Sequence, residues 1–254
     1  MQSLRQVTIV NPQNRFRKVT LTEPTHHAYL LLAAEVDHTV LPFFLMTSSK
    51  KKKLLKQCKT TCQQLDQLPG VLSAVLFKSW IRPPGRGKFI AQRKDKVHVA
   101  RFDVVVLIEA QNREILRNIQ SHPAYLAMEQ AMKSAAAHTY ITLASNVKRI
   151  RDVDHQREGV FLFNFFFADD AEQNLGVWEY TAGWFQQETG LDNSTVLLPV
   201  ENDHPPYTLI NHCRWDRLSD VLPSLLFKGS FRSFVLAHFF ANRVAAMPIL
   251  YKMV

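Results

Sequence analysis

Cysteine and glycine are scarce in this chain, and a long apolar run is missing altogether. Three cysteines in 254 residues cannot frame a disulfide scaffold. With eight glycines, the only clustered motif is Gly85-Arg86-Gly87-Lys88. It lacks the remaining glycines and the following Lys-Ser/Thr of a phosphate loop, and neither a dinucleotide fingerprint nor a Gly-x-Ser-x-Gly elbow occurs. No apolar stretch reaches the roughly 18 residues that a membrane-spanning helix needs. Residues 1–16 are polar and basic, without the apolar segment of a secretory signal. The expectation is a soluble, cytoplasmic protein with no membrane partner.

What is present is apolar and aromatic. Hydrophobic residues make up 46% and aromatic residues 11%, which excludes a disordered chain and permits one large or two ordinary domains. Lys and Arg number 31 against 22 Asp and Glu, a formal net charge of +9. The excess is uneven. Residues 156–254 carry 7 basic against 11 acidic residues, leaving 24 against 11 for residues 1–155. The basic part can repel or attract partners at a distance, but it says nothing of fold.

Periodicity divides the chain into a repeated order of elements. Residues 1–27 read as an irregular lead-in, 28–145 as a first repeat, 146–158 as a charged linker and 159–254 as a second repeat. In the first, strands are expected at 28–37, 71–81, 102–109 and 139–144. A helix at 50–68 places Leu54, Leu55, Cys58, Cys62, Leu65 and Leu68 on one stripe, with hydroxyls at 47–49 to cap it. A second helix, 113–137, should break near His122-Pro123. In the second repeat, strands are expected at 160–167, 194–200, 207–215 and 247–253, with a turn at 202–206. Helices are expected at 171–189, ended by Gly190, and at 218–241, interrupted near 228–230. Both parts read β-α-β-β-α-β, and the break, Ala-rich helix and closing strand recur at nearly equal spacing in 122–143 and 230–251.

Two such units expose one sheet face each and can bury them against each other. The element order over 28–254 therefore resembles the dimeric α/β-barrel superfamily in a fused, two-repeat form. That superfamily includes antibiotic-biosynthesis monooxygenases, EthD-like proteins and stress-responsive A/B-barrel proteins. The resemblance implies an α+β fold of two tandem ferredoxin-like repeats whose antiparallel sheets pack face to face as an α/β barrel. Asn164 in the first strand of the second repeat and Trp215 at the end of its third match positions that the small monooxygenases often fill with Asn and Trp. The heme-degrading branch adds a His on the next helix, and 218–227 has none. In chlorite-dismutase-like heme proteins a helical His binds iron, and His238 is the one counterpart. The resemblance therefore implies no cofactor, and a homodimer as a possible assembly.

The residues around that match supply the site candidates. Trp178, Thr181, Trp184 and Phe185 share a helical stripe, and Tyr180 is paired with Trp184 four residues on. On the strand, Asn211, Cys213 and Trp215 point one way and His212 and Arg214 the other. Asn164 stands among phenylalanines. This mixture of aromatic walls and few polar groups suits a pocket for a hydrophobic aromatic molecule. Asn164, Asn211, Arg214, Trp178, Trp184 and Trp215 would bind it, and His212 or Tyr180 would move a proton. The competing arrangement is an aromatic core whose Asn and Trp bond to backbone.

The remaining polar clusters point elsewhere. His26, His27 and His98 lack ligand spacing with Cys, Asp or Glu, so no metal site is expected. Cys58 and Cys62 lie on an apolar stripe and read as buried thiols. Lys50 to Lys53 read as a solvated surface, and the 82–96 loop is basic, but the aromatic pattern of RNA-binding modules is missing, which disfavours nucleic acid. The function expected is a cofactor-independent oxygenase, cyclase or isomerase of small-molecule, secondary metabolism, acting on an aromatic or polyketide-like substrate. The alternative is a non-catalytic ligand-binding or assembly protein, with nucleic-acid binding through the basic first repeat as a minority reading.

Overall fold

Eight strands close into one antiparallel barrel in the computed structural model, which describes residues 7–13, 15–37, 42–44, 46–84, 88–93, 95–200 and 205–254. Gly85, Arg86 and Gly87, and most of the expected turn at 202–206, lie outside the described residues. The first repeat supplies β1 (Ala28–Glu35), α1 (Ser49–Leu65), β2 (Val71–Ile81), β3 (Val104–Ala110), α2 (Arg113–Gln120), α3 (Pro123–Ala135) and β4 (His138–Arg149). The second supplies β5 (Val160–Ala168), α4 (Ala171–Thr189), β6 (Thr195–Pro199), β7 (Leu209–Trp215) and α5 (Leu218–Phe227). A π-helical turn at Phe231–Leu236, α6 (Ala237–Ala241) and β8 (Val244–Met253) complete it. The strand order is β1-β3-β2-β8-β5-β7-β6-β4. The two repeats thus meet at antiparallel seams β2–β8 and β4–β6, both within one chain. No helix among the described residues is long and apolar enough to cross a membrane.

Local signals account for the boundaries. Ser48 caps α1 by accepting from the Lys51 N–H at 3.1 Å. The expected break between α2 and α3 falls at His122, whose Nδ1 accepts from the Ala124 N–H with Pro123 opening the next helix. Asp170 caps α4, and Gly190, at φ +67°, ends it in the left-handed conformation that glycine adopts without strain. Two strands run past their apolar cores because a partner strand continues. β4 reaches Arg149, four residues into the charged stretch after 145, where it pairs with β6, and β8 begins at Val244 opposite Ala168 of β5. β3 starts later than its apolar run, because Asp103 turns its carboxylate to the N–H groups of Val36 and Asp37.

Alternation sorts each strand between two cores. On β1, Leu30, Leu32 and Ala34 pack outward under α1, α2 and α3. On β5, β7 and β8, Leu162, Cys213, Trp215 and Leu250 pack outward under α4, α5 and α6. Facing inward, Phe77, Phe161, Phe163, Phe165, Tyr140 and Tyr251 fill the middle of the barrel. One end is plugged by the segment around Phe89 and Phe102. It is pinned there by the Tyr207 hydroxyl donating to the His98 carbonyl and the Tyr251 hydroxyl to that of Phe102. The lead-in is not idle either. It straps the second repeat's helices, and a Cβ on Gly183 of α4 would sit 1.9 Å from the Arg17 carbonyl oxygen.

One surface expectation is corrected here. Lys51 is not solvated. Its side chain is fully buried, and its ammonium lies 2.8 Å from Asp103, which is equally buried. The helix stripe turns Lys51 inward with Leu54, Leu55 and Cys58, and the carboxylate waits there at the start of β3. Cys58 and Cys62 are buried free thiols, and burial pushes both up to about 12.

Candidate functional site

The second repeat places Asn164, Asn211 and Trp215 on the outer face of the sheet and Trp178 opposite them on α4. Together they line two small adjoining cavities of about 20 and 30 Å3, walled also by Phe185, Leu162 and Phe239. Both cavities touch Asn164. Its Oδ1 is buried and has no hydrogen-bond partner among the described residues. The neighbouring polar groups are satisfied from within. The Trp215 indole N–H donates to Thr189 Oγ1 at 3.0 Å, and Ser194 Oγ donates to Asn211 Oδ1 at 2.5 Å. Cys213 also lines the space, and full burial raises its thiol well above the usual range, so it stays protonated. Pro83 and Pro84, from the connection after β2, form part of one wall.

Four expected members stand apart from this cavity, and each departure has a geometric cause. His212 and Arg214 sit on the opposite face of β7, so the sheet itself separates them from Asn164. Arg214 reaches the Glu158 carbonyl and Asp216 at 2.8 Å. Trp184 is wholly buried and donates to Ser230 Oγ at 2.9 Å, beside the cavities rather than in their lining. Tyr180 lies two positions off the Trp178 stripe, stacks on Phe234 and meets the His238 ring at a tilt. Neither residue expected to move a proton reaches Asn164.

His238 is buried between two backbone groups. Its Nδ1 donates to the Phe234 carbonyl at 2.6 Å and its Nε2 accepts from the Val10 N–H at 3.2 Å. Both ring nitrogens are thereby used, so this residue does not fit the role of an iron ligand for heme.

His212 belongs instead to the open end of the barrel. There a pocket of about 520 Å3 is lined by His27, Tyr29, Glu109, Arg149, His155 and His212 among others. His155 Nε2 lies 2.8 Å from His212 Nε2, and His212 Nδ1 lies 3.0 Å from the Leu162 carbonyl. Desolvation lowers both imidazoles, His155 to about 4 and His212 well below the ordinary value, so both are neutral near pH 7. Opposite them, Glu109 Oε1 accepts from the Tyr29 hydroxyl at 2.8 Å and lies 2.6 Å from His27 Nδ1. Burial and the Glu109 charge raise the Tyr29 hydroxyl. Sequence spacing pairs none of these residues, because their partners arrive from segments distant in the chain. Glu109, a charge ending an apolar strand on its inward face, is the one signal that could have pointed here.

Similar architectures occur among solved structures. An anthrone oxidase-like protein superposes with a TM-score of 0.64 over 90% of this chain and 92% of that one, at 11% identity. A candidate monooxygenase from Fusobacterium nucleatum subsp. nucleatum gives 0.55 over 90% and 93%, at 8% identity. The fold is the tandem dimeric α/β barrel. No family model and no curated protein sequence matches the chain. At these identities the likeness is one of fold, and function has to be argued from the residues.

Proposed function

We propose that this tandem α/β barrel is a cofactor-independent enzyme of small-molecule metabolism, acting on an aromatic or polyketide-like molecule between sheet and helices of the second repeat. One observation carries the reading: the buried, unpartnered Oδ1 of Asn164 among aromatic walls. Leaving such a carbonyl unpaired costs about 1–3 kcal/mol, which a ligand donor would recover. Asn164 would orient the substrate, Trp215, Trp178 and Phe185 would wall it, and Asn211 and Trp184 would hold those walls in place.

Of oxygenation, cyclisation and isomerisation, oxygenation of a substrate that already enolises in water asks least of protein acids and bases: the reacting CH2 carbon supplies four electrons to dioxygen and becomes a carbonyl, and the second oxygen leaves as water with the two protons. That fits a cavity whose one ionisable side chain among the described residues is the protonated Cys213 thiol. The fold of monooxygenase-type relatives accords with it. With chambers of about 20 and 30 Å3, a ring system enters only if the lining side chains move apart. Both seams lie within one chain, so a homodimer would add to the barrel rather than complete it.

A second reading, ligand binding without turnover, is favoured by the internal bonds of Trp215 and Asn211. The test is dioxygen uptake with a panel of enolisable tricyclic aromatic ketones. Turnover that Asn164→Leu abolishes supports the proposal. Binding of the panel without uptake supports the second reading, and turnover untouched by Asn164→Leu removes the site.

A further inference from the structure

The open pocket at the barrel mouth lies on the other side of the sheet from Asn164 and takes no part in the function proposed above. At about 520 Å3 it is within the range of small-molecule sites. Its polar groups have a definite hydrogen-bonding sense. The Leu162 carbonyl can only accept, so His212 Nδ1 carries a proton and its Nε2 presents a lone pair. The proton between the two imidazoles then belongs to His155 Nε2. In a neutral ring this leaves His155 Nδ1 as an acceptor, and no described residue bonds to it. The pair rests on aromatic rings, with Phe163 stacked 4.1 Å from His212 and Phe77 edge-on at 5.4 Å, which holds both imidazoles in place.

Charge in the lining is matched internally. Glu109 is held by His27 and Tyr29, and Arg149 by Asp152 and the Glu23 carbonyl. Among the described residues of the lining, an anion would find no free cation, and a cation no free carboxylate. Leu72, Leu107, Val153 and Leu197 supply the apolar wall.

We propose that the barrel mouth is a binding site for a small, uncharged phenolic molecule, whose hydroxyl donates to His155 Nδ1 and whose ring lies against Leu72, Leu107, Val153 and Leu197. Binding, rather than deprotonation, follows from the weakness of the base. An imidazole held down near 4 accepts a hydrogen bond at neutral pH but does not retain a phenol's proton.

The experiment titrates the whole protein with 2-naphthol, naphthalene, 2-naphthoate and 2-naphthylmethylamine, by calorimetry and by the 15N resonance of His155 Nδ1. We expect 2-naphthol to bind about tenfold tighter than naphthalene and to shift that resonance. His155→Phe should weaken 2-naphthol about tenfold and leave naphthalene unchanged, whereas Asn164→Leu should change neither. The resonance is read in the unaltered protein, so the test survives a variant that fails to fold. Absence of 2-naphthol binding, an unmoved resonance, or tighter binding of the acid or amine would overturn the proposal. Loss of binding in Asn164→Leu would assign the ligand to the other cavity.

Discussion

The two repeats present equivalent strand faces to their helices and fill them differently. β1 turns Ala28, Leu30, Leu32 and Ala34 outward, and β3 turns Val104, Val106, Ile108 and Ala110. At the same places the second repeat has Val160, Leu162, Asn164 and Phe166 on β5, and Leu209, Asn211, Cys213 and Trp215 on β7. The first layer holds a single aromatic ring, Tyr125, and is closed by Leu54, Leu55, Met128 and Met132, with its one buried charge pair, Lys51 and Asp103, matched internally. Branched aliphatic chains interdigitate at native density, whereas large rigid rings leave gaps and amides need partners. The gaps and the unpartnered Asn164 carbonyl both fall in the second layer. One repeat therefore reads as scaffold, and the other keeps a place where side chains are not fully matched.

The sharpest way to break this comparison is to exchange its key residues. Leu32→Asn puts the second repeat's amide at the matching place in the first. It gives up a buried leucine and strands an amide, which should cost about 5 kcal/mol, read as a lower denaturation midpoint. A loss under about 2 kcal/mol would mean that the first layer has polar partners to spare. Next in size is the buried pair under α1. Lys51→Met strands the Asp103 carboxylate, for a loss of about 3–4 kcal/mol. Lys52→Met and Lys53→Met, on the exposed side of the same run, should each stay within about 0.5 kcal/mol. Equal effects at the three lysines would refute the assignment of Lys51 to the core.

A third effect separates the barrel mouth from both layers. His155 titrates near 6.5 when unfolded and near 4 when folded. Between those values the unfolded chain holds a proton that the folded chain lacks, so this contribution is complete above pH 6.5 and is lost as pH falls toward 4. Unfolding free energies measured across that window should fall less steeply in His155→Phe than in the parent. Parallel curves would place the imidazole in water.

Much of this architecture was legible in the chain because its signals are local. The Leu54, Leu55, Cys58 stripe marks α1, Asp170 and Gly190 bracket α4, and the inward Phe161, Phe163 and Phe165 alternate with outward Leu162, Asn164 and Phe166. The split of β7 into Asn211, Cys213, Trp215 on one face and His212, Arg214 on the other is likewise a property of strand pleating. What could not be read depends on contacts between distant segments. His155 lies in a charged stretch without periodicity, and Glu109 meets His27 82 residues away. Lys51 looks like its neighbours until Asp103 arrives beneath it. Nor does residue type give cavity size, since Trp178 and Trp215 suit a broad pocket as well as the small chambers they line.

The smallest effect is the most informative about the second layer. Asn164→Leu replaces an amide whose oxygen is unpartnered by an apolar side chain of the same branching and heavy-atom count, beside cavities that can take up its larger methyl groups. Such an exchange recovers the penalty of an unpaired carbonyl and should raise stability by about 1 kcal/mol, opposite in sign to Leu32→Asn at the matching position. A residue whose removal stabilises the fold is not there for the fold. If Asn164→Leu instead lowers stability by 1 kcal/mol or more, the carbonyl has a partner, such as ordered water, and the case for a substrate contact weakens. A gain in stability together with lost turnover would give Asn164 the signature of a group kept for its chemistry.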